Sequence, residues 1–148
     1  MYESLPQDVE LTLPAVTDSL AIASRALDDF ARPLTLGDEG LFPLDLALSE
    51  AMTNVIKHGY HYDASRTLRL SLRYREEERV LEIGLVDSGT PIPAALLQQE
   101  KHLAIDPDDM ESWPENGMGI MFIQASVDEV RYQSDHGENT LTLCKRLA

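Results

Sequence analysis

Apolar and polar positions along the chain alternate between two periods, one near 2 and one near 3.6, and each change of period marks an element. Val9 to Leu13 is a short β-type run that ends at Pro14. From about Asp18 the apolar positions become Leu20, Ala23, Leu27 and Phe30, the spacing of a helix that Thr17 or Asp18 can cap and Pro33 should end. Leu34 to Leu41, with Gly37 and Gly40, reads as a connection. Pro43 suits the first turn of a second helix, which runs to about His58 with Gly59 as its stop.

Leu68, Leu70, Leu72 and Tyr74 then alternate with Arg69, Ser71 and Arg73, which predicts a strand with one buried face. Glu76, Glu77 and Glu78 make a charged turn. Val80 to Val86 is apolar at both parities, the pattern of a central strand covered on both faces, and it stops at Asp87-Ser88-Gly89. Residues 90–116 have no strong period; Pro91, Pro107 and Pro114 and a cluster of acids predict a long loop of the kind that works as a lid. Gly117-Met118-Gly119 opens a helical run with Ile120, Ile123 and Val127. Glu129 to Gln133 and Thr140 to Lys145, joined through His136-Gly137, finish as a hairpin.

One helix breaks its own pattern. Within Leu46 to Tyr60, Leu48, Met52, Val55 and Ile56 share an apolar arc, and Ser49, Thr53 and Lys57 form a solvent stripe. Glu50, Asn54 and His58 occupy a third arc. Their i, i+4, i+8 spacing stacks a carboxylate, an amide and an imidazole along one line, an arrangement suited to a single ligand.

Composition narrows what that ligand is. The chain has 148 residues, enough for one domain that buries roughly 68–70% of its unfolded surface. Its single cysteine, Cys144, excludes an internal disulfide and a cysteine zinc cluster. Twelve basic against 26 acidic residues give a formal charge of −14, which argues against nucleic-acid backbones and anionic membranes. No long apolar run or leader pattern appears, so a cytoplasmic location is expected.

Three polar groups at element ends each have a use for a nucleotide. Mg²⁺ takes hard oxygen ligands and is often held by one or two protein groups plus phosphates, which the Asn54 carbonyl can supply. Glu50, one turn earlier, can orient or deprotonate a hydroxyl attacking the γ-phosphate. An ionised Asp87 is acceptor-only, which suits the exocyclic amino group of adenine, and Gly89 lets the backbone pass close to the base. Gly117 and Gly119 allow main-chain N–H groups near phosphate at a helix start. Singly, each of these is commonplace.

Their order and spacing resemble the GHKL ATPase superfamily, specifically the small anti-sigma-factor serine kinases of bacterial sporulation and stress switches. LSEAMTNVIKHGY resembles the family's N box, VDSGTP its first glycine box, ENGMGIMFIQASVDEVRY its second and NTLTLCKRL its closing strand. The resemblance runs from about Val9 to Leu147. It implies an α+β fold, a two-layer sandwich with helices on one face of a mixed, mostly antiparallel sheet, in one domain over 1–148 with an ATP lid at about 90–116.

By matching position, the resemblance implies Glu50 as catalytic base, Asn54 as Mg²⁺ ligand and Asp87 as adenine reader. Gly89, Gly117, Met118 and Gly119 would shape the pocket, and Thr140 would support the adenine carboxylate directly or through water. His58 falls at an N-box position with phosphate or structural duty. The implied activity is a Mg²⁺-ATP-dependent serine/threonine protein kinase. It would also bind a sigma factor and phosphorylate an antagonist of the STAS type. Members of this group often form homodimers.

One departure stands out. Several kinases of the group carry a basic residue just before the second glycine box, where this chain has Glu115 and Asn116. Either Glu115 points outward, or Lys101, His102 or Lys57 supplies the cation, or phosphoryl transfer is weak. The last option leaves a partner-sequestering module without catalysis as the alternative function.

Overall fold

The computed structural model describes residues 6–34, 37–92 and 123–147. They form five strands and two long helices in two layers. In chain order the elements are β1 (Val9–Pro14), α1 (Asp18–Ala31), α2 (Gly37–Asn54), β2 (Thr67–Arg75), β3 (Val80–Asp87), β4 (Glu129–Asp135) and β5 (Glu138–Arg146). A 3₁₀ turn, Arg32–Leu34, follows α1, and a π-helical segment, Val55–Gly59, extends α2. Residues 123–126 are helical as well. No helix among the described residues is long and apolar enough to cross a membrane.

The sheet order is β1-β2-β3-β5-β4. All four described pairings are antiparallel, so the two-layer sandwich stands and its described sheet has no parallel part. Register sets which side chains share a face. Leu11, Leu70, Leu85, Leu141 and Tyr132 form one row across the sheet, and Val9, Leu72, Ile83, Leu143 and Val130 form the next. These rows meet Ala23, Leu27 and Phe30 of α1 and Leu44, Leu48 and Met52 of α2 in one continuous core.

The opposite face of the sheet carries charge. Arg75 pairs with Glu82 at 2.9 Å, and Arg131 lies 3.8 Å from both Glu82 and Glu129. β3 is the central strand, as its apolar run predicts, but the described helices cover only one of its faces. Its outward positions are Glu82, Gly84 and Val86, and the mixed parity of the sequence reflects Gly84 lying against Ser71 rather than a second helical layer.

Two boundaries differ from the pattern. α2 begins at Gly37, inside the expected connection, and Pro43 lies within it rather than in its first turn. The apolar stripe extends back through Leu44 to Leu41, which packs against the core, so tertiary burial outweighs the Gly and Pro signals. At α1, Thr17 makes no side-chain cap. Instead the buried Ser19 hydroxyl donates to the Pro14 carbonyl at 2.7 Å. The hairpin turn is as expected, with positive φ at His136 (53°) and Gly137 (77°) joining β4 to β5.

Candidate functional site

The candidate site lies where the end of α2 meets the end of β3. The inner rows of the sheet are leucine-rich in its middle and turn polar at this edge, because Asp87 pairs with Asn139 and Asn139 with Ser134. Asp87 is 9% exposed and Asn139 only 1%, so their polar atoms need partners within the protein. Asn139 Nδ2 donates to Asp87 Oδ1 and to the Gly89 carbonyl, each at 2.9 Å. The Ser134 hydroxyl donates to Asn139 Oδ1 at 2.7 Å, and the Gly89 N–H donates to Asp87 Oδ1 at 2.8 Å. Among the described residues nothing donates to Asp87 Oδ2.

The loop after β3 is held from several sides. The Ser88 N–H donates to the Tyr60 hydroxyl at 2.8 Å, and that hydroxyl donates to the Thr67 carbonyl at 2.7 Å. Arg66 stacks over the Tyr60 ring with its guanidinium carbon 4.8 Å from the centroid and donates to the Ser88 carbonyl at 3.2 Å. The Thr90 N–H donates to the Gly59 carbonyl at 2.9 Å, and the Ile92 N–H to the Tyr132 hydroxyl at 2.9 Å. Burial holds the Tyr132 phenol above its ordinary range, and the nearby Asp87 carboxylate pushes it the same way while the Ile92 N–H opposes.

Gly89 earns its place through close approach. A Cβ there would stand 2.6 Å from the Gly59 carbonyl carbon and 2.9 Å from the Tyr60 ring. Gly59 faces the carboxylate in turn, with Asp87 Oδ1 3.7 Å from where its own Cβ would be. A Cβ at Gly59 would make only ordinary contacts there, so the close approach constrains Gly89 rather than Gly59. The left-handed residues that turn the chain after the helix are His61 and Tyr62, at φ 51° and 63°.

Glu50 and Asn54 lie on the last turns of α2, both half-buried. Glu50 forms no hydrogen bond or ion pair among the described residues. The Asn54 Nδ2 atom is buried with no hydrogen-bond partner among them. Immediately afterwards the helix widens, with the Tyr60 N–H bonded to the Val55 carbonyl five residues back at 2.8 Å. Such π segments are frequent at functional sites. The extra residue in the turn displaces His58 from the line of Glu50 and Asn54 that a regular helix would give it, and His58 is exposed.

Thr140 pairs with Val86, not with Asp87, so it lies on the outer face. There it lines an open cleft of about 350 Å³ with Gln133, Asp135, His136 and Glu138. Asn139, one residue earlier, makes a direct contact to Asp87, whereas the resemblance implies support from Thr140 directly or through water. The sequence carried a signal for it: Asn139 shares the buried parity of Leu141 and Leu143. Tyr60 was also missed, being read only as the end of a motif. Gly117, Met118 and Gly119 lie outside the described residues, as do Lys101, His102, Glu115 and Asn116 and the lid beyond Ile92.

The donor set fits a Mg²⁺-nucleotide. No group of three or more His, Cys, Asp or Glu converges as a metal site among the described residues, so these residues offer no cage of their own. A half-buried Asn54 amide whose Nδ2 is unpartnered among the described residues offers a hard oxygen to a cation shared with phosphates. Asp87 offers an acceptor whose Oδ1 is fixed by the Asn139 amide and the Gly89 N–H.

Comparison with known proteins bears on this geometry. A family model described as the histidine kinase-like ATPase domain matches residues 13–145. The serine-protein kinase RsbW of Oceanobacillus iheyensis is 26% identical over 129 residues, covering 87% of this chain and 80% of that protein. RsbW of Bacillus mycoides is 25% identical over 139 residues, covering 91% and 82%. Among solved structures, the RsbU and RsbW domains of a Mycobacterium tuberculosis protein match with a TM-score of 0.66 at 17% identity. That match covers 95% of this chain and 32% of the other, about a third of its length. A chain of the SiaB–SiaC complex from Pseudomonas aeruginosa also matches at 0.66, with 11% identity and coverage of 92% and 88%.

Proposed function

The chain belongs to the histidine kinase-like ATPase family, and from that premise we propose that it is a cytoplasmic, Mg²⁺-ATP-dependent serine/threonine protein kinase acting as an anti-sigma regulatory factor. Its substrate would be a serine or threonine on a small antagonist of the STAS type, and its other partner a sigma factor. The names of the RsbW relatives support the kinase half of this reading. The partner assignments rest on the resemblance of the N box and glycine boxes.

The observation that carries the proposal is the Asp87 carboxylate. It sits at the end of β3, held at Oδ1 by Asn139 and Gly89, with Oδ2 left to accept from a base. Asp87 reads the adenine amino group, because a carboxylate rejects a carbonyl at that position. Asn54 would hold Mg²⁺, which would supply charge neutralisation to the phosphates. Glu50, one helical turn away and free of protein partners among the described residues, takes the proton from the attacking hydroxyl. By the resemblance, Gly117, Met118 and Gly119 would help shape the pocket.

The test is calorimetric titration with ATP, with and without Mg²⁺, on the wild-type chain and on Asn54→Ala. Affinity that falls on removal of either Mg²⁺ or the amide supports the site. Absence of binding at millimolar MgATP would overturn it.

A second reading, a partner-sequestering module without phosphoryl transfer, is favoured by Glu115-Asn116 standing where a cation is expected. It predicts partner binding with no ATP-dependent transfer of phosphate.

A further inference from the structure

We propose that Asn139, locked in place by Ser134, is a positioning residue that sets nucleobase selectivity by filling one oxygen of Asp87. The inference rests on the reading of this site as a nucleotide site.

The chemistry fixes which way the Asn139 amide faces. Asp87 Oδ1 and the Gly89 carbonyl are both acceptors, each 2.9 Å from the same amide atom, so that atom is the NH₂ group. A flipped amide would set a carbonyl oxygen against two acceptors. The Ser134 hydroxyl, 2.7 Å from Oδ1, completes the assignment by donating to the other end. Asn139 is almost wholly buried and sits in the sheet, so its amide is closed off from water as an alternative partner.

This arrangement decides what Asp87 offers. Guanine presents two adjacent donors, N1–H and the 2-amino group, which match the two oxygens of a free carboxylate. Adenine presents one donor, the 6-amino group, beside the acceptor N1. With Oδ1 occupied by the Asn139 amide and the Gly89 N–H, only Oδ2 remains. One fixed acceptor matches adenine and cannot take both guanine donors. The Gly89 bond comes from two residues along the same chain and moves with the loop, whereas the Asn139 bond ties the carboxylate to the next strand. Loss of Asn139 therefore frees the carboxylate plane to turn.

The test is titration of the full chain with MgATP and with MgGTP, for wild type, Asn139→Ala and Ser134→Ala. The wild type should prefer ATP by about a hundredfold, a discrimination within reach of buried polar pairing. In Asn139→Ala the preference should shrink by about tenfold or more, with ATP weakened and GTP unchanged or tighter. Ser134→Ala, an exposed position, should shrink it by about threefold by loosening the amide. If both nucleotides weaken in parallel in both variants, Asn139 only holds the fold and the inference is overturned. If Asn139→Ala fails to fold, an unchanged ratio in Ser134→Ala overturns it by itself. A wild type that binds neither nucleotide overturns the nucleotide-site reading and this inference with it. A wild type that binds ATP while both variants keep the ratio overturns the inference alone.

Discussion

Gly89 and Gly59 meet backbone to backbone, with no room for a Cβ on Gly89 between them. The first glycine after β3 is thus pressed against the last residue of the π segment, and the Thr90 N–H closes the contact on the Gly59 carbonyl at 2.9 Å. Gly89→Ala must push the loop away from the helix or displace the Tyr60 ring. The expected cost is about 1–3 kcal/mol, the usual range for overpacking, with ATP affinity reduced in parallel. Urea unfolding and nucleotide titration of the variant measure both, and an unchanged midpoint would show that the contact relaxes freely.

Tyr60 ties three segments through one hydroxyl. In Tyr60→Phe the Ser88 N–H and the Thr67 carbonyl each lose a partner in a half-buried place. That loss should destabilise by about 1–3 kcal/mol, because unmade buried hydrogen bonds carry the desolvation cost. The Arg66 guanidinium keeps its stacking on the phenyl ring, so Tyr60→Leu should cost more than Tyr60→Phe. Thermal unfolding of the two variants checks the order.

Glu50→Gln separates binding from turnover. On the proposed kinase reading, the amide keeps the size of the side chain but cannot take a proton, so ATP-dependent transfer of phosphate to a protein substrate should fall by about 10²–10⁴-fold with nucleotide affinity little changed. Transfer that persists at the wild-type rate would remove Glu50 from the role of base.

Much of this was legible in the sequence because the strands obey a strict period. Leu68, Leu70 and Leu72, and the Asp87-Ser88-Gly89 stop, give β2 and the end of β3 directly. The β-hairpin turn at His136-Gly137 is equally local chemistry. What escaped depends on register, which a single sequence does not display. The resemblance implies carboxylate support, direct or through water, for Thr140, whereas the register places Asn139 beside Asp87, and in a strand one residue exchanges the two faces. The π turn after Asn54 escaped for a related reason. Regular helical geometry puts His58 in line with Glu50, and only the Val55–Tyr60 bond reveals the extra residue in the turn.

The Cys144 thiol should be unreactive in the folded protein. Burial pushes it up from its ordinary range, although the Arg131 guanidinium, 3.3 Å from Sγ, opposes that shift. A raised pKa means that the neutral thiol is the form the fold favours. Its contribution to stability is full below the unfolded thiol's titration and is lost as pH rises through the folded value. Alkylation by iodoacetamide at pH 8 should be about tenfold slower than in urea, because Cys144 lies on the outer face of the sheet under the Arg131 side chain and that side chain must move aside. Native alkylation at the unfolded rate would show that Arg131 does not shield the thiol.

Pro43 offers a test of where α2 begins. Its position as the seventh residue of a helix starting at Gly37 means that it lacks the N–H which would bond the Glu39 carbonyl and that its ring crowds that turn. Pro43→Ala should therefore stabilise the protein, by an amount up to about 3 kcal/mol and smaller to the extent that the helix has already adapted. Were Pro43 in the first turn, as its sequence context suggests, the ring would be pre-organised for its place. Replacement would then cost about 0.4–1 kcal/mol through greater freedom of the unfolded chain. The two positions predict opposite signs. A denaturation midpoint that rises in Pro43→Ala supports a start at Gly37, and one that falls places the first turn at Pro43. The second outcome would also shorten the apolar stripe by removing Leu41 from the helix, leaving Leu44 as the first α2 side chain to reach the core.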